Sequence, residues 1–218
     1  MYGSASNLAE LQIAGSPKTA EGENIMRIIL ASASPRRREL LEQIGLEFEV
    51  KISNVQEKIT AEEPGKIVEE LSEQKARAVL DSLTDVKEDV IVIGADTIVA
   101  VGKSILGKPV DAEQAVEMLE RLSGNTHQVY TGVTLYYRPA GEQLQQKTFH
   151  EMTGVTFYPM CEREISEYVS TNDCMDKAGA YGIQGFCARY IRGIEGDYSN
   201  VVGLPVGRLY QEIKEWLD

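Results

Sequence analysis

"DVIVIGADTIVAV", residues 89–101, is the most apolar segment of the chain. It reads as a central strand interrupted at Gly94–Asp96, which places Asp96 where the apolar run breaks off. A carboxylate at the end of a buried strand in an α/β protein stands where ligands usually bind. There it serves as a metal ligand or general base, or as a cap or turn residue. The tetrapeptide "GADT" alone leaves both readings open.

The segments around this strand alternate between strand and helix patterns. "RIILAS" (27–32) is a short, Ile-rich run expected to form a buried strand. "SPRRRELLEQIG" (34–45) follows as a helix. Ser34 is the expected N-cap, Pro35 takes the first helical position, Leu40, Leu41 and Ile44 form the apolar stripe, and Gly45 ends it. "EFEVKIS" (47–53) alternates like a strand, and "PGKIVEELSEQKARAVLDSL" (64–83) is an amphipathic helix. Beyond the central strand, "DAEQAVEMLERLSG" (111–124) is a helix capped by Asp111. "HQVYTGVTLYYR" (127–138) and "EMTGVTFYP" (151–159) are strands. "EREISEYVS" (162–170) is a short helix and "GRLYQEIKEWL" (207–217) a closing one. "DKAGAYGIQG" (176–185) carries three glycines and reads as a loop that approaches something closely. "GDYSNVVGLP" (196–205) has a similar character. The expected architecture is α/β, a mixed sheet flanked by helices and split into two lobes around a cleft.

Composition narrows the function. With 22 Lys+Arg against 34 Asp+Glu the net charge is −12, which disfavours binding to a nucleic-acid polymer but permits a small phosphate ligand in a locally basic pocket. The three cysteines, Cys161, Cys174 and Cys187, form no CxxC pair, so reduced structural thiols and a cytoplasmic setting are expected. Two histidines, His127 and His150, offer no His-rich metal site. No apolar run approaches the roughly 20 residues needed to cross a bilayer. Residues 1–25 are small and polar and read as a flexible extension, vector-derived or from an upstream start, ahead of a domain spanning 26–218.

"ASASPRRREL" (31–40) is a strand, a tight turn and a helix start. Backbone N–H groups and the positive dipole end point outward there, and Arg36 and Arg37 add charge with bidentate geometry. Cations at a helix N-terminus oppose the dipole by about 0.3–1 kcal/mol each, which an anionic ligand would offset. A solvated basic patch is the other reading. Lys108 in "ILGKP" is held extended before a proline, and Lys75 sits mid-helix, where lysines are usually at the surface. Gln184 offers an amide for reading a base edge. Together these residues fit a metal-assisted attack on a nucleotide phosphoanhydride better than Ser-His-Asp or Cys-His catalysis.

The ordered set "LASASPRRRELLEQIG", "ADTIV", "LGKP", "LSGNTHQVYTGV", "DKAGAYGIQG" and "GDYSNVVGLP" resembles the Maf-like nucleotide pyrophosphatases over essentially residues 26–218. The resemblance implies hydrolysis of a nucleoside triphosphate to the monophosphate and pyrophosphate, dependent on a divalent cation (Mg2+, Mn2+ or Co2+). It implies an α/β fold with a deep cleft similar to inosine triphosphate pyrophosphatases, and a homodimer. Matched position by position, it implies Asp96 as catalytic proton acceptor and Ser32, Arg36, Lys75 and Lys108 as phosphate contacts. Glu57, with Asp96, falls on the metal side. Arg37, Thr97 and Gln184 resemble the specificity positions of the subfamily acting on dTTP and UTP, rather than those of the branch acting on 7-methyl-GTP. Gln56 stands where an aspartate is common, and Asp173–Cys174 where glutamate and proline are usual. A non-catalytic nucleotide-binding regulator of septum formation is the rival expectation.

Overall fold

The computed structural model describes residues 26–84 and 88–217, so the expected extension at 1–25 lies outside the described residues. A strand β1 (Met26–Leu30) leads into helix α1 (Pro35–Gln43), the short strand β2 (Glu49–Val50) and helix α2 (Pro64–Asp81). Then come β3 (Asp89–Val101), β4 (Ser104–Leu106), α3 (Ala112–Leu122), β5 (Thr126–Arg138) and β6 (Gln145–Phe157). Helix α4 (Glu162–Ser170), two 3-10 turns, β7 (Ile191–Glu195), α5 (Tyr198–Val202) and α6 (Val206–Leu217) complete the chain. The strands form one seven-stranded sheet in the order β2-β1-β3-β5-β6-β7, with β4 also on β3. The β2-β1-β3 side is parallel and the β3-β5-β6-β7 side antiparallel, so the sheet is mixed.

Strand β3 is buried on both faces, and its pleat sorts its side chains. Val90 and Val92 pack with Ala76, Val79 and Leu80 of α2, and Ile98 packs with Ile67, Val68 and Leu71 of the same helix. Ile91, Ile93 and Ala95 point the other way, into a core shared with Leu40 and Leu41 of α1 and Leu209, Ile213 and Trp216 of α6. Val99, on that same side, joins a separate core built from α3, α4 and the segment holding Tyr181 and Cys187. Two apolar cores on one side of a shared sheet are the two expected lobes.

The expected interruption at Gly94–Asp96 is not there: β3 runs unbroken for 13 residues. Gly94 serves a close packing contact. A Cβ at Gly94 would stand 2.7 Å from the Ala76 Cβ and collide with the Ser72 carbonyl oxygen, and Gly132 on β5 meets the Val68 carbonyl in the same way. Helix α2 therefore lies directly on the backbone of two strands. Ser34 occupies the N-cap position of α1 without a side-chain cap hydrogen bond, whereas Asp111 caps α3 by accepting from the Gln114 N–H. The alternating stretch 47–53 contributes only the two residues of β2. Strand β6 begins at Gln145, ahead of the expected Glu151, and "GDYSNVVGLP" contains α5. Strands β4 and β7 have no counterpart in the sequence reading.

One irregularity positions the site. Strand β1 pairs with β3 only up to Ile93, and β4 pairs with β3 only from Val99. Between them, residues 94–98 are paired on the β5 side alone. The sheet has a notch there, and the turn after β1 runs into it, the Ala31 N–H donating to the Ile93 carbonyl at 2.8 Å.

Candidate active site

The notch opens into a cleft of about 710 Å3, within the size range of small-molecule sites. Ser32, Arg36, Arg37, Glu57, Lys75, Asp96, Thr97, Lys108 and Gln184 all line it, so every site residue named from the sequence is brought to one place. They come from the β1–α1 turn, α1, the β2–α2 stretch, α2, β3, the β4–α3 connection and the loop after α4.

On the α2 face, Lys75 is not a surface lysine: its side chain is 18% exposed. Its ammonium donates to Asp96 Oδ1 in a very short contact and lies 3.1 Å from Glu57 Oε1. One cation thus stands between two carboxylates from distant parts of the chain. Among the described residues no three His, Cys, Asp or Glu side chains cluster as metal ligands. A hard divalent cation fits this donor set only in the Mg2+ manner, with one or two carboxylates and the remaining oxygens from water and phosphate. Glu57 and Asp96 are the residues that would hold it.

On the opposite face of β3 the chemistry is different. Arg37 is 8% exposed, yet each of its three bonded nitrogens donates to a neutral oxygen. Nε bonds the Gly203 carbonyl at 2.8 Å, Nη1 the Ser32 hydroxyl at 3.0 Å and Nη2 the Thr97 hydroxyl at 3.0 Å. Burial pulls the Arg37 pKa below the ordinary arginine value, and the charge of Asp96 works the other way. Thr97 Oγ1 lies 2.9 Å from Thr131 Oγ1, which donates to the Asn200 carbonyl at 2.9 Å. A hydroxyl has one proton to give. Thr131 gives its proton to Asn200, so Thr97 must donate to Thr131 and accept from Arg37. The chain runs one way, from guanidinium to backbone carbonyl. Two guanidinium N–H groups remain for a ligand, since the side chain carries five. Ser32 accepts from Arg37 and from the Ser34 N–H at 3.2 Å, which leaves its own proton for the cleft.

Arg36 reaches across the mouth to the loop after α4, its Nη1 donating to Asp176 Oδ2 at 3.0 Å. Burial pushes the Asp176 carboxyl up, but hydrogen bonds from Lys177 and Arg36 outweigh it and hold the pKa below the ordinary aspartate value. Thr131 and Asn200, both fully buried, were missed from sequence. The available signal was a threonine at an inward position of β5, which periodicity marks as buried without saying what it bonds. Cys174 and Cys187 are packed in the α3–α4 core, and burial pushes the Cys187 thiol up to about 12, so it is no nucleophile near neutral pH.

Fold and cleft together define an α/β protein with a cationic, carboxylate-bearing site suited to a small polyphosphate that also carries a hydrogen-bonding group. The chain belongs to the Maf-like protein family, whose model matches residues 27–216. It is 53% identical over 198 residues to the dTTP/UTP pyrophosphatase of Agathobacter rectalis, covering 87% of this chain and 97% of that protein. It is 48% identical over 197 residues to the dTTP/UTP pyrophosphatase of Bacillus cereus, covering 90% and 93%. Among solved structures, a nucleoside-triphosphatase / dITP/XTP pyrophosphatase from Mycobacterium abscessus aligns with a TM-score of 0.39 at 15% identity, covering 87% of this chain and 94% of that one. Among the described residues no helix is long and apolar enough to cross a membrane.

Proposed function

We infer that this protein hydrolyses dTTP and UTP to the nucleoside monophosphate and pyrophosphate. The observation that carries the reading is the convergence of Arg36, Lys75, Lys108 and Asp96 on one cleft, at a notch whose other wall is Arg37 and a hydrogen-bonded chain of hydroxyls. Relatives about half identical over nearly their whole length, named dTTP/UTP pyrophosphatases, support the choice of base.

In this mechanism Arg36, Lys75 and Lys108 bind the triphosphate and neutralise its charge, and Ser32 donates its free proton to a phosphate oxygen. Asp96 orients a water and takes its proton as the water oxygen attacks the α-phosphorus. The α–β bridging bond breaks and pyrophosphate leaves with the bond's electron pair. A divalent cation held by Glu57 and Asp96 supplies further neutralisation of phosphate charge when bound. Lys75 leaves one or both carboxylates as substrate arrives, because its ammonium is then nearer to phosphate oxygens. Most of the rate comes from this fixed electrostatic clamp. Arg37, Thr97 and Gln184 receive the base, with Arg37 donating to its carbonyl oxygens.

The test is a panel of dTTP, UTP, CTP, GTP and 7-methyl-GTP with Mg2+, Mn2+ or Co2+. Monophosphate with pyrophosphate from dTTP and UTP is the expected result. Diphosphate with orthophosphate rejects attack at the α-phosphorus, and tight binding of dTTP without turnover under any of these metals rejects the enzyme.

A further inference from the structure

The loop between α4 and the second 3-10 turn enters the reaction above only through Gln184. It nevertheless places Asp173, Asp176 and Lys177 in the cleft lining. Their contacts form an unbroken line. Arg36 donates to Asp176 Oδ2 at 3.0 Å and to the Asp176 carbonyl at 3.4 Å. The other carboxylate oxygen, Oδ1, accepts from the Lys177 ammonium at 2.7 Å. That ammonium, on a side chain 13% exposed, also donates to Asp173 Oδ1 at 3.0 Å and to the Asp173 carbonyl. Asp173 Oδ2 accepts from the Tyr168 hydroxyl at 3.0 Å, and that hydroxyl accepts from the Gly182 N–H at 3.2 Å.

The line also has a packing component. A Cβ on Gly182 would stand 2.6 Å from Lys177 Cε, so the lysine stem lies against the backbone two residues before Gln184. Charges alternate along it as Arg36, Asp176, Lys177, Asp173. One end is an arginine expected on the triphosphate, and the other is the backbone carrying the base-reading amide.

We propose that Asp176 is a positioning residue that couples the two ends of the cleft: one carboxylate oxygen holds Arg36, and the other holds Lys177 and with it the segment bearing Gln184. Seating the phosphates on Arg36 then sets the register of Gln184 against the base. Selection of a pyrimidine depends on the Arg36–Asp176 pair as well as on Gln184 itself. This rests on the pyrophosphatase reading above.

The test compares Asp176→Ala, Asp176→Asn and Arg36→Ala and the double variant Arg36→Ala/Asp176→Ala, each checked by thermal melting. Asp176→Ala is expected to lower kcat/KM for dTTP about tenfold and the dTTP-to-GTP ratio about fivefold, with Asn in between. Arg36→Ala lowers both as well. Adding Asp176→Ala to it should cost less than about twofold more, because contacting residues in one network are not additive. Additive effects on kcat/KM, or an unchanged dTTP-to-GTP ratio in Asp176→Ala, overturn the proposal and leave a surface ion pair. If the wild-type protein releases no pyrophosphate from dTTP, the enzymatic reading fails separately. The coupling is then read by calorimetric binding: Asp176→Ala must weaken dTTP more than inorganic tripolyphosphate, and equal weakening overturns it.

Discussion

The two faces of β3 build the two ends of the cleft with opposite chemistry. On the α2 face, Asp96 and Glu57 share the Lys75 ammonium, three charges that satisfy one another and can be rearranged by a ligand. On the other face, Thr97 sits in a one-way chain from Arg37 to Thr131 and the Asn200 carbonyl, set between two apolar cores. The charged wall can change partners at little cost, because phosphate oxygens can replace carboxylates around an ammonium. The hydrogen-bonded wall cannot, because Arg37, Thr97 and Thr131 are held in fixed donor–acceptor pairs, and breaking one strands a buried polar group. Substitutions in the charged wall should therefore register in turnover, and those in the hydrogen-bonded wall in stability first.

Asp96→Asn is the sharpest probe of the charged wall. Turnover of dTTP should fall by about 10^3-fold, within the range for loss of a general base, with a small change in melting temperature. Retained pyrophosphate release would reject Asp96 as proton acceptor. Comparing Arg37→Ala with Arg36→Ala separates the hydrogen-bonded wall from the ion pair at the cleft mouth, within one helix turn. Losing Arg37 strands the Gly203 carbonyl and two hydroxyls and should cost about 3 kcal/mol in denaturant unfolding. Losing Arg36, whose partner Asp176 is largely exposed, should cost less than about 1 kcal/mol. Similar costs would erase the distinction.

The same face of the sheet extends to His127, two positions before Val129 on β5 and fully buried, with Nε2 2.8 Å from the Tyr181 hydroxyl. Burial lowers its pKa to about 4 from 6.5. Below pH 6.5 the unfolded chain binds a proton that the folded chain refuses, so stability falls as pH drops and the loss is complete only below about pH 4. Between pH 6.5 and 5 it should amount to about 2 kcal/mol. Replacing His127 by Gln should flatten that part of a stability-against-pH curve; an unchanged slope would place the acid sensitivity elsewhere. The mildest test is Thr131→Val, which keeps shape and removes the chain's middle hydroxyl. It should cost about 1 kcal/mol, and Thr131→Ser should restore most of it.

Legibility followed range. Helices α1, α2, α3 and α6 and the strands flanking them were readable because period, caps and apolar stripes are local. Strands β4 and β7 were not, since each is a short run that becomes a strand only by pairing with β3 or β6. Gly94 misled because a glycine in an apolar run marks either a break or a close contact, and only α2 lying on the backbone decides which. At the site, local physics pointed to an anion at residues 32–37. The roles expected of Lys75 and Glu57 came from family resemblance, and it alone tied Lys108 and Gln184 to them, because their convergence spans more than a hundred residues. Lys75 in particular reads as a surface lysine until Asp96 and Glu57 are placed beside it.

By itself the sequence determined the order of the longer helices and strands, the two-sided burial of β3 and the anion-suited turn after β1, all set by neighbouring residues. The tertiary structure decided that Asp96 and Thr97 face one cleft. Consecutive strand residues point to opposite faces of a sheet, and in a continuous sheet no small molecule touches both. Because β1 stops at Ile93 and β4 starts at Val99, the sheet is open at that point and both faces look into the same cleft. That gap is made by where three separate strands end, which no single stretch of sequence encodes.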